Sequence, residues 1–120
     1  MILLLRISTN LLMGRIAMKD YSLYENIHMP VSDVQIRLSY FTSQHFGLVF
    51  PAHWHEHIEF LYFLKGKARI YCNSKPFIAQ PGDLIIVNSN ELHYGENLSE
   101  DLAYHIIIVN PSLLHSSSTD

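Results

Sequence analysis

The chain has 120 residues and a mass of 13.9 kDa, enough for one compact domain with a real core and too little for two. Hydrophobic residues make up 48% and charged ones 16%, far from the composition of a disordered chain. The formal net charge is −3 and Lys and Arg are not clustered, so these residues lack the basic footprint that phosphate contacts require. A single cysteine, Cys72, excludes an internal disulfide framework and suits a reducing compartment, so a cytoplasmic protein is expected.

Residues 1–30 read as an N-terminal extension or arm, weakly ordered in part. The apolar run Met1 to Leu5 precedes its charge, Arg6, which reverses the order of a signal peptide, and it is too short to span a bilayer. Met18-Lys19-Asp20 offers a second start, which leaves residues 1–17 as an extension or a misassigned beginning. No membrane association is expected.

From residue 31 onward the dominant period is two. Val34, Ile36, Leu38 and Tyr40 alternate with Gln35, Arg37 and Ser39, the pattern of a half-buried strand. Further strands are predicted at Phe46 to Phe50, Ile58 to Leu64, Ala68 to Cys72, Leu84 to Val87 and Tyr104 to Val109. Turn chemistry separates them at 65–67, 73–75, 81–83 and 88–91. Pro81-Gly82 suits a type II turn, with proline presetting φ and glycine accepting positive φ after it. Many short strands joined by short turns predict an all-β antiparallel sandwich or barrel over residues 31–110. Residues 111–120, rich in serine, read as an exit segment or linker.

Chemistry concentrates between Gly47 and Gly66, where His53, His55 and Glu59 fall at matching parity in a stretch that otherwise reads as one β-strand. Such residues project from one side of a sheet. They form either a metal site or the lining of a polar pocket, because imidazole and carboxylate serve both purposes.

The spacing Gly-x5-His-x-His-x3-Glu-x6-Gly is met by Gly47, His53, His55, Glu59 and Gly66, and it resembles the first motif of the cupins, small β-barrels of jelly-roll type. The second cupin motif, Pro-x-Gly-x2-His-x3-Asn, is half present: His93 and Asn97 match, while Asn88 and Asn90 replace the proline and glycine. The resemblance, which covers roughly residues 34–110, implies a cupin antiparallel β-barrel with His53, His55, Glu59 and His93 as ligands of a divalent transition metal such as Zn, Ni, Mn or Fe. The wording from His53 to Gly66 and from Pro81-Gly82-Asp83 to Glu91-Leu92-His93 further resembles the N-terminal domain of AraC-type transcriptional regulators, with Ser89 in place of a usual proline. That resemblance implies a sensor for a small-molecule effector, often a sugar, that commonly contributes to a homodimer. DNA would then be read by a C-terminal helix-turn-helix module absent from this chain. The chain is expected to be a truncated sensor domain or a stand-alone cupin.

Other residues compete for roles. Tyr71 and Arg69 could reach a sugar from a central strand, although ordinary surface polarity also explains them. His105 could enter the barrel opposite the first motif. His57 shares the ligand parity, yet an exposed strand-end histidine fits as well. Trp54, Ile58, Phe60, Tyr62 and Leu64 have the opposite parity and are expected to form the packing face. Glu56 is expected to face solvent, and His28, His45 and His115 lie in apparent loops.

Two functions from different classes result. One is an effector-sensing cupin domain of an AraC-type regulator, with no required cofactor and no catalytic residues. The other is a stand-alone metal-dependent cupin enzyme of the dioxygenase or sugar isomerase type, weakened by the lack of an obvious general base beyond the metal set.

Overall fold

The computed structural model describes residues 4–7, 20–29 and 35–115. The described residues contain nine strands: β1 (Leu4–Ile7), β2 (Ile36–Ser43), β3 (Gly47–His53), β4 (Ile58–Lys65), β5 (Ala68–Cys72), β6 (Lys75–Ala79), β7 (Asp83–Val87), β8 (His93–Asn97) and β9 (Leu102–Val109). They form a five-stranded sheet in the order β1-β7-β4-β9-β2 and a four-stranded sheet in the order β3-β8-β5-β6. All pairings are antiparallel except β1 with β7. This is the cupin jelly roll, with the interior between the two sheets. No helix among the described residues is long and apolar enough to cross a membrane.

Strand alternation decides what enters the interior. Leu61 and Phe63 from β4, Ala68, Ile70 and Cys72 from β5, Ile85 and Val87 from β7, and Leu102 and Tyr104 from β9 form the buried cluster. Burial pushes the Cys72 thiol up to about 12, so it stays protonated as a small core residue.

The parity expectation for β4 reverses here. Glu59, Leu61 and Phe63 are buried, whereas Ile58, Phe60 and Tyr62 are only half-buried and Leu64 is exposed. The reason is that Glu59 turns inward, and a period of two takes Leu61 and Phe63 with it. Trp54 is buried, but beneath Tyr21 and Tyr24, with ring centroids at 5.3 and 4.9 Å.

One further difference concerns a boundary. Asn73 and Ser74, both at positive φ, form a two-residue hairpin turn, and Lys75–Ala79 beyond them is an edge strand. The edge tolerates Pro76, which marks the segment as non-strand by composition. Four residues of the expected N-terminal extension, Leu4–Ile7, pair with β7, and residues 20–29 are also described, while residues 1–3, 8–19 and 30 lie outside the described residues.

Turn chemistry closes the frame. Asp83 N–H donates to the Gln80 carbonyl at 2.9 Å with Gly82 at φ +91°, the type II turn expected from Pro81-Gly82. Gly66, at φ +83°, turns β4 into β5 so close to the Asp101 carbonyl that a Cβ there would collide with it.

Candidate functional site

The stretch from Gly47 to Gly66 is two strands in different sheets, joined at a corner. β3 ends at His53 in the four-stranded sheet and β4 begins at Ile58 in the five-stranded one. His55 sits in the corner, Glu59 is the second residue of β4, and His93 opens β8 opposite His53. A strand pairing therefore carries His93 to the first motif, across 40 residues of sequence.

One ligand atom from each of His53, His55, Glu59 and His93 lies within 4.8 Å of all the others. His55, Glu59 and His93 are buried, while the His53 side chain retains 17% exposure. The open side of the cluster is thus at His53.

Every imidazole is held the same way. Nδ1 of His53, His55 and His93 lies 2.8, 2.9 and 2.9 Å from the carbonyls of Pro51, His57 and Glu91. A carbonyl only accepts, so each Nδ1 carries a proton and each Nε2 is left to face the cluster. Yet Nε2 of His55 and of His93 lies 3.0 and 2.9 Å from the same oxygen, Glu59 Oε2. Two bare nitrogen lone pairs against a carboxylate oxygen would repel. The arrangement therefore requires positive charge, supplied by protons on Nε2 or by a cation between the donors.

The charge balance agrees. Burial raises the Glu59 carboxyl, but hydrogen bonds from His55 and His93 overturn this and hold it well below the usual carboxylate range. Burial lowers His93, but the Glu59 carboxylate outweighs it and draws its imidazole upward. His53 moves the other way, pushed down by burial and by the neighbouring His93. Two adjacent imidazolium rings, His55 and His93, would have centroids only 4.9 Å apart. One divalent ion replaces both protons without that repulsion.

The donor set fits such an ion. Two donors each about 2.1 Å from one ion and at right angles around it stand about 3.0 Å apart, the spacing of Glu59 from both histidines. Three imidazoles and one carboxylate suit Zn, Fe, Mn or Ni and leave one or two positions open on an octahedral ion.

The supporting shell is largely polar backbone. Asn88 N–H donates to Glu91 Oε1 at 2.8 Å, Leu92 N–H to Asn73 Oδ1 at 2.9 Å, and Asn73 N–H to the Leu92 carbonyl at 2.7 Å. These bonds lock the turn whose Glu91 carbonyl orients His93. Asn90 N–H to the His55 carbonyl and Ser89 Oγ to the Glu56 carbonyl, at 2.8 and 2.6 Å, tie that turn to the corner. The role of Asn73 escapes sequence reading because it acts across strands, while for Glu91 only the Asn88-x2-Glu91 spacing hints at a side-chain-capped turn.

Asn97, the other match to the second motif, is structural. It is buried, donates from Nδ2 to the His45 carbonyl at 2.9 Å and accepts from Ser99 N–H at 2.9 Å. Tyr71 and His105 do not join the cluster. Tyr71 alternates with the core residues Ile70 and Cys72, so it faces outward, stacked on Tyr94 at 4.3 Å. His105 alternates with Tyr104 and Ile106 in the same sense, and its ring lies 5.3 Å from Tyr40 on the outer face. Arg69 is also on that outer side of β5, 4.0 Å from Glu96. His57 gives its carbonyl to His55, and its own ring is half-buried beside the cluster rather than in it.

A model of the AraC-like ligand-binding domain matches residues 38–120. The chain belongs to that family. Among curated proteins, this AraC-like domain is 27% identical over 100 residues to the uncharacterized HTH-type transcriptional regulator YdeC of Bacillus subtilis, covering 82% of the chain and 33% of that protein. It is 29% identical over 69 residues to YbfI of the same organism, described likewise, covering 57% and 25%. The domain thus spans a quarter to a third of the length of these relatives. Among solved structures, a cupin domain from Schizosaccharomyces pombe superposes with a TM-score of 0.64 at 12% identity, covering 74% of this chain and 62% of the other. That likeness concerns the fold. The family is one of ligand-binding domains, and the two curated relatives it resembles are described as transcriptional regulators.

Proposed function

We propose that the domain senses a small oxygen-rich effector, a sugar or related metabolite, at the open side of the His53, His55, Glu59 and His93 cluster. The observation that carries this reading is the convergence of His55 Nε2 and His93 Nε2 on one oxygen of the buried Glu59, with a ring nitrogen of His53 within 4.8 Å and each imidazole pinned through Nδ1. Leu61 and Phe63, which follow Glu59 inward on β4, are wholly buried, so access is from the His53 side. A divalent transition metal, when bound, would supply Lewis acidity toward hydroxyl or carboxylate oxygens there. The chain's own part is to fix the donor set and keep it ionised. In a full-length regulator, the DNA would be read by a separate helix-turn-helix module, acting in the cytoplasm and as a homodimer.

The test is a thermal-shift screen of sugars, polyols and hydroxy acids, with and without Ni2+, on wild type and Glu59→Gln. A saturable stabilisation by one class that Glu59→Gln abolishes is expected. Equal stabilisation of both proteins by every hit would overturn the assignment of the site.

The complete set of four donors also favours a second reading, a metal-dependent cupin enzyme. Consumption of the stabilising compound by the metal-loaded domain, with release of a new product, would decide for it; unchanged compound after long incubation would decide against it.

A further inference from the structure

We propose that Glu25, from outside both histidine motifs, is a fifth protein donor of this site, closing its open side over a bound divalent cation. The inference rests on the cation-capable reading of the cluster above.

Glu25 Oε2 lies 3.1 Å from Nε2 of His53, the most exposed of the donors. This is close to the spacing that Glu59 keeps to His55 and His93, and it carries the same requirement: with Nδ1 of His53 turned to the Pro51 carbonyl, Nε2 faces the carboxylate only with positive charge between them, a proton or a cation. A cation shared by both groups meets it. Charge points the same way, because one carboxylate leaves a divalent ion half neutralised and Glu25 supplies the second negative charge on the solvent side.

The position of Glu25 is built rather than accidental. Its N–H donates to the Trp54 carbonyl at 2.9 Å, and Trp54 N–H donates to the Leu23 carbonyl at 3.0 Å, so residues 23–25 lie as a short parallel bridge along the chain between His53 and His55. The indole N–H of Trp54 donates to the Asp20 carbonyl at 3.0 Å, and Tyr24 hydroxyl donates to Glu56 Oε2 at 3.0 Å. The tryptophan between the two histidines of the first motif thus serves as the anchor for the segment that carries Glu25. With five mixed nitrogen and oxygen donors, the site would prefer ions that take five or six ligands over a tetrahedral one.

The experiment titrates Ni2+ into wild type, Glu25→Ala, Glu25→Gln and Glu59→Gln by calorimetry, and follows amide hydrogen exchange of residues 20–29 with and without Ni2+. Far-UV circular dichroism establishes that each variant is folded. We expect both Glu25 variants to bind Ni2+ about tenfold or more weakly than wild type, the scale of losing a group that supports a metal centre. Ni2+ should slow exchange of residues 20–29 in wild type and leave it unchanged in Glu25→Ala. If the Glu25 variants bind within twofold of wild type while Glu59→Gln does not bind, the four-donor site stands and the role of Glu25 falls. Faster exchange of residues 20–29 on Ni2+ binding would likewise overturn it. If wild type itself binds no Ni2+, both readings fall.

Discussion

Replacing Glu59 by glutamine in the metal-free domain tests the electrostatic logic of the cluster. The carboxylate is 6% exposed and receives two charge-assisted contacts, at 3.0 and 2.9 Å, on one oxygen. A hydrogen bond to a charged group contributes about 1.5–3 kcal/mol, and truncating one member of a buried pair strands its partner, so a loss of about 2–4 kcal/mol is expected. The loss should depend on pH with a definite sign. Glu59 is depressed below its ordinary 4.5, so its contribution is present above pH 4.5 and fades as pH falls toward its folded value. His93 is raised above its ordinary 6.5, so its share is full below pH 6.5 and fades as pH rises through its folded value. The difference between wild type and variant should therefore peak between about pH 4.5 and 6.5 and shrink on either side. Urea denaturation in the presence of a chelator, at a series of pH values, measures it. A difference that is flat with pH, or a variant as stable as wild type, would refute the reasoning.

Gly66→Ala should cost about 2 kcal/mol or more in the same assay, because the added Cβ meets both positive φ and the Asp101 carbonyl; a cost below 0.5 kcal/mol would contradict the turn geometry. Asn97→Ala should destabilise by about 1–3 kcal/mol through the orphaned His45 carbonyl and Ser99 amide, yet leave Ni2+ affinity within twofold in calorimetry. His105→Asn and Tyr71→Phe, both on outer faces, should leave Ni2+ affinity and effector stabilisation unchanged, and a clear loss in either would return that residue to the site.

Much of the fold was legible because alternation is a local signal. Ala68 to Cys72 and Leu84 to Val87 announce strands through β-branched and apolar periodicity, and Pro81-Gly82 announces its turn; Ile36 to Tyr40 also forms a strand, but its apolar residues Ile36, Leu38 and Tyr40 are exposed rather than on a buried face, and Val34 lies outside the described residues. β6 and β8 were not legible in the same way: Lys75–Ala79 contains a proline, and His93–Asn97 contains a glycine and two acidic or amide residues. Their strand state comes from neighbours that pair with them, which no window of sequence includes.

The sequence by itself determined the family of spacing that places His53, His55 and Glu59 near one another, since short chain segments have few ways to separate them. The half-matched second motif also pointed to His93, but only the tertiary structure shows what brings these residues together and which others stand apart. The β3–β8 pairing brings His93 to His53, a corner between two sheets turns Glu59 inward and Phe60 outward, and backbone bonds to Trp54 carry Glu25 to the open side. Tyr71 and His105 are excluded by the same physics, because a strand shows alternate residues to opposite faces and the core claims their neighbours.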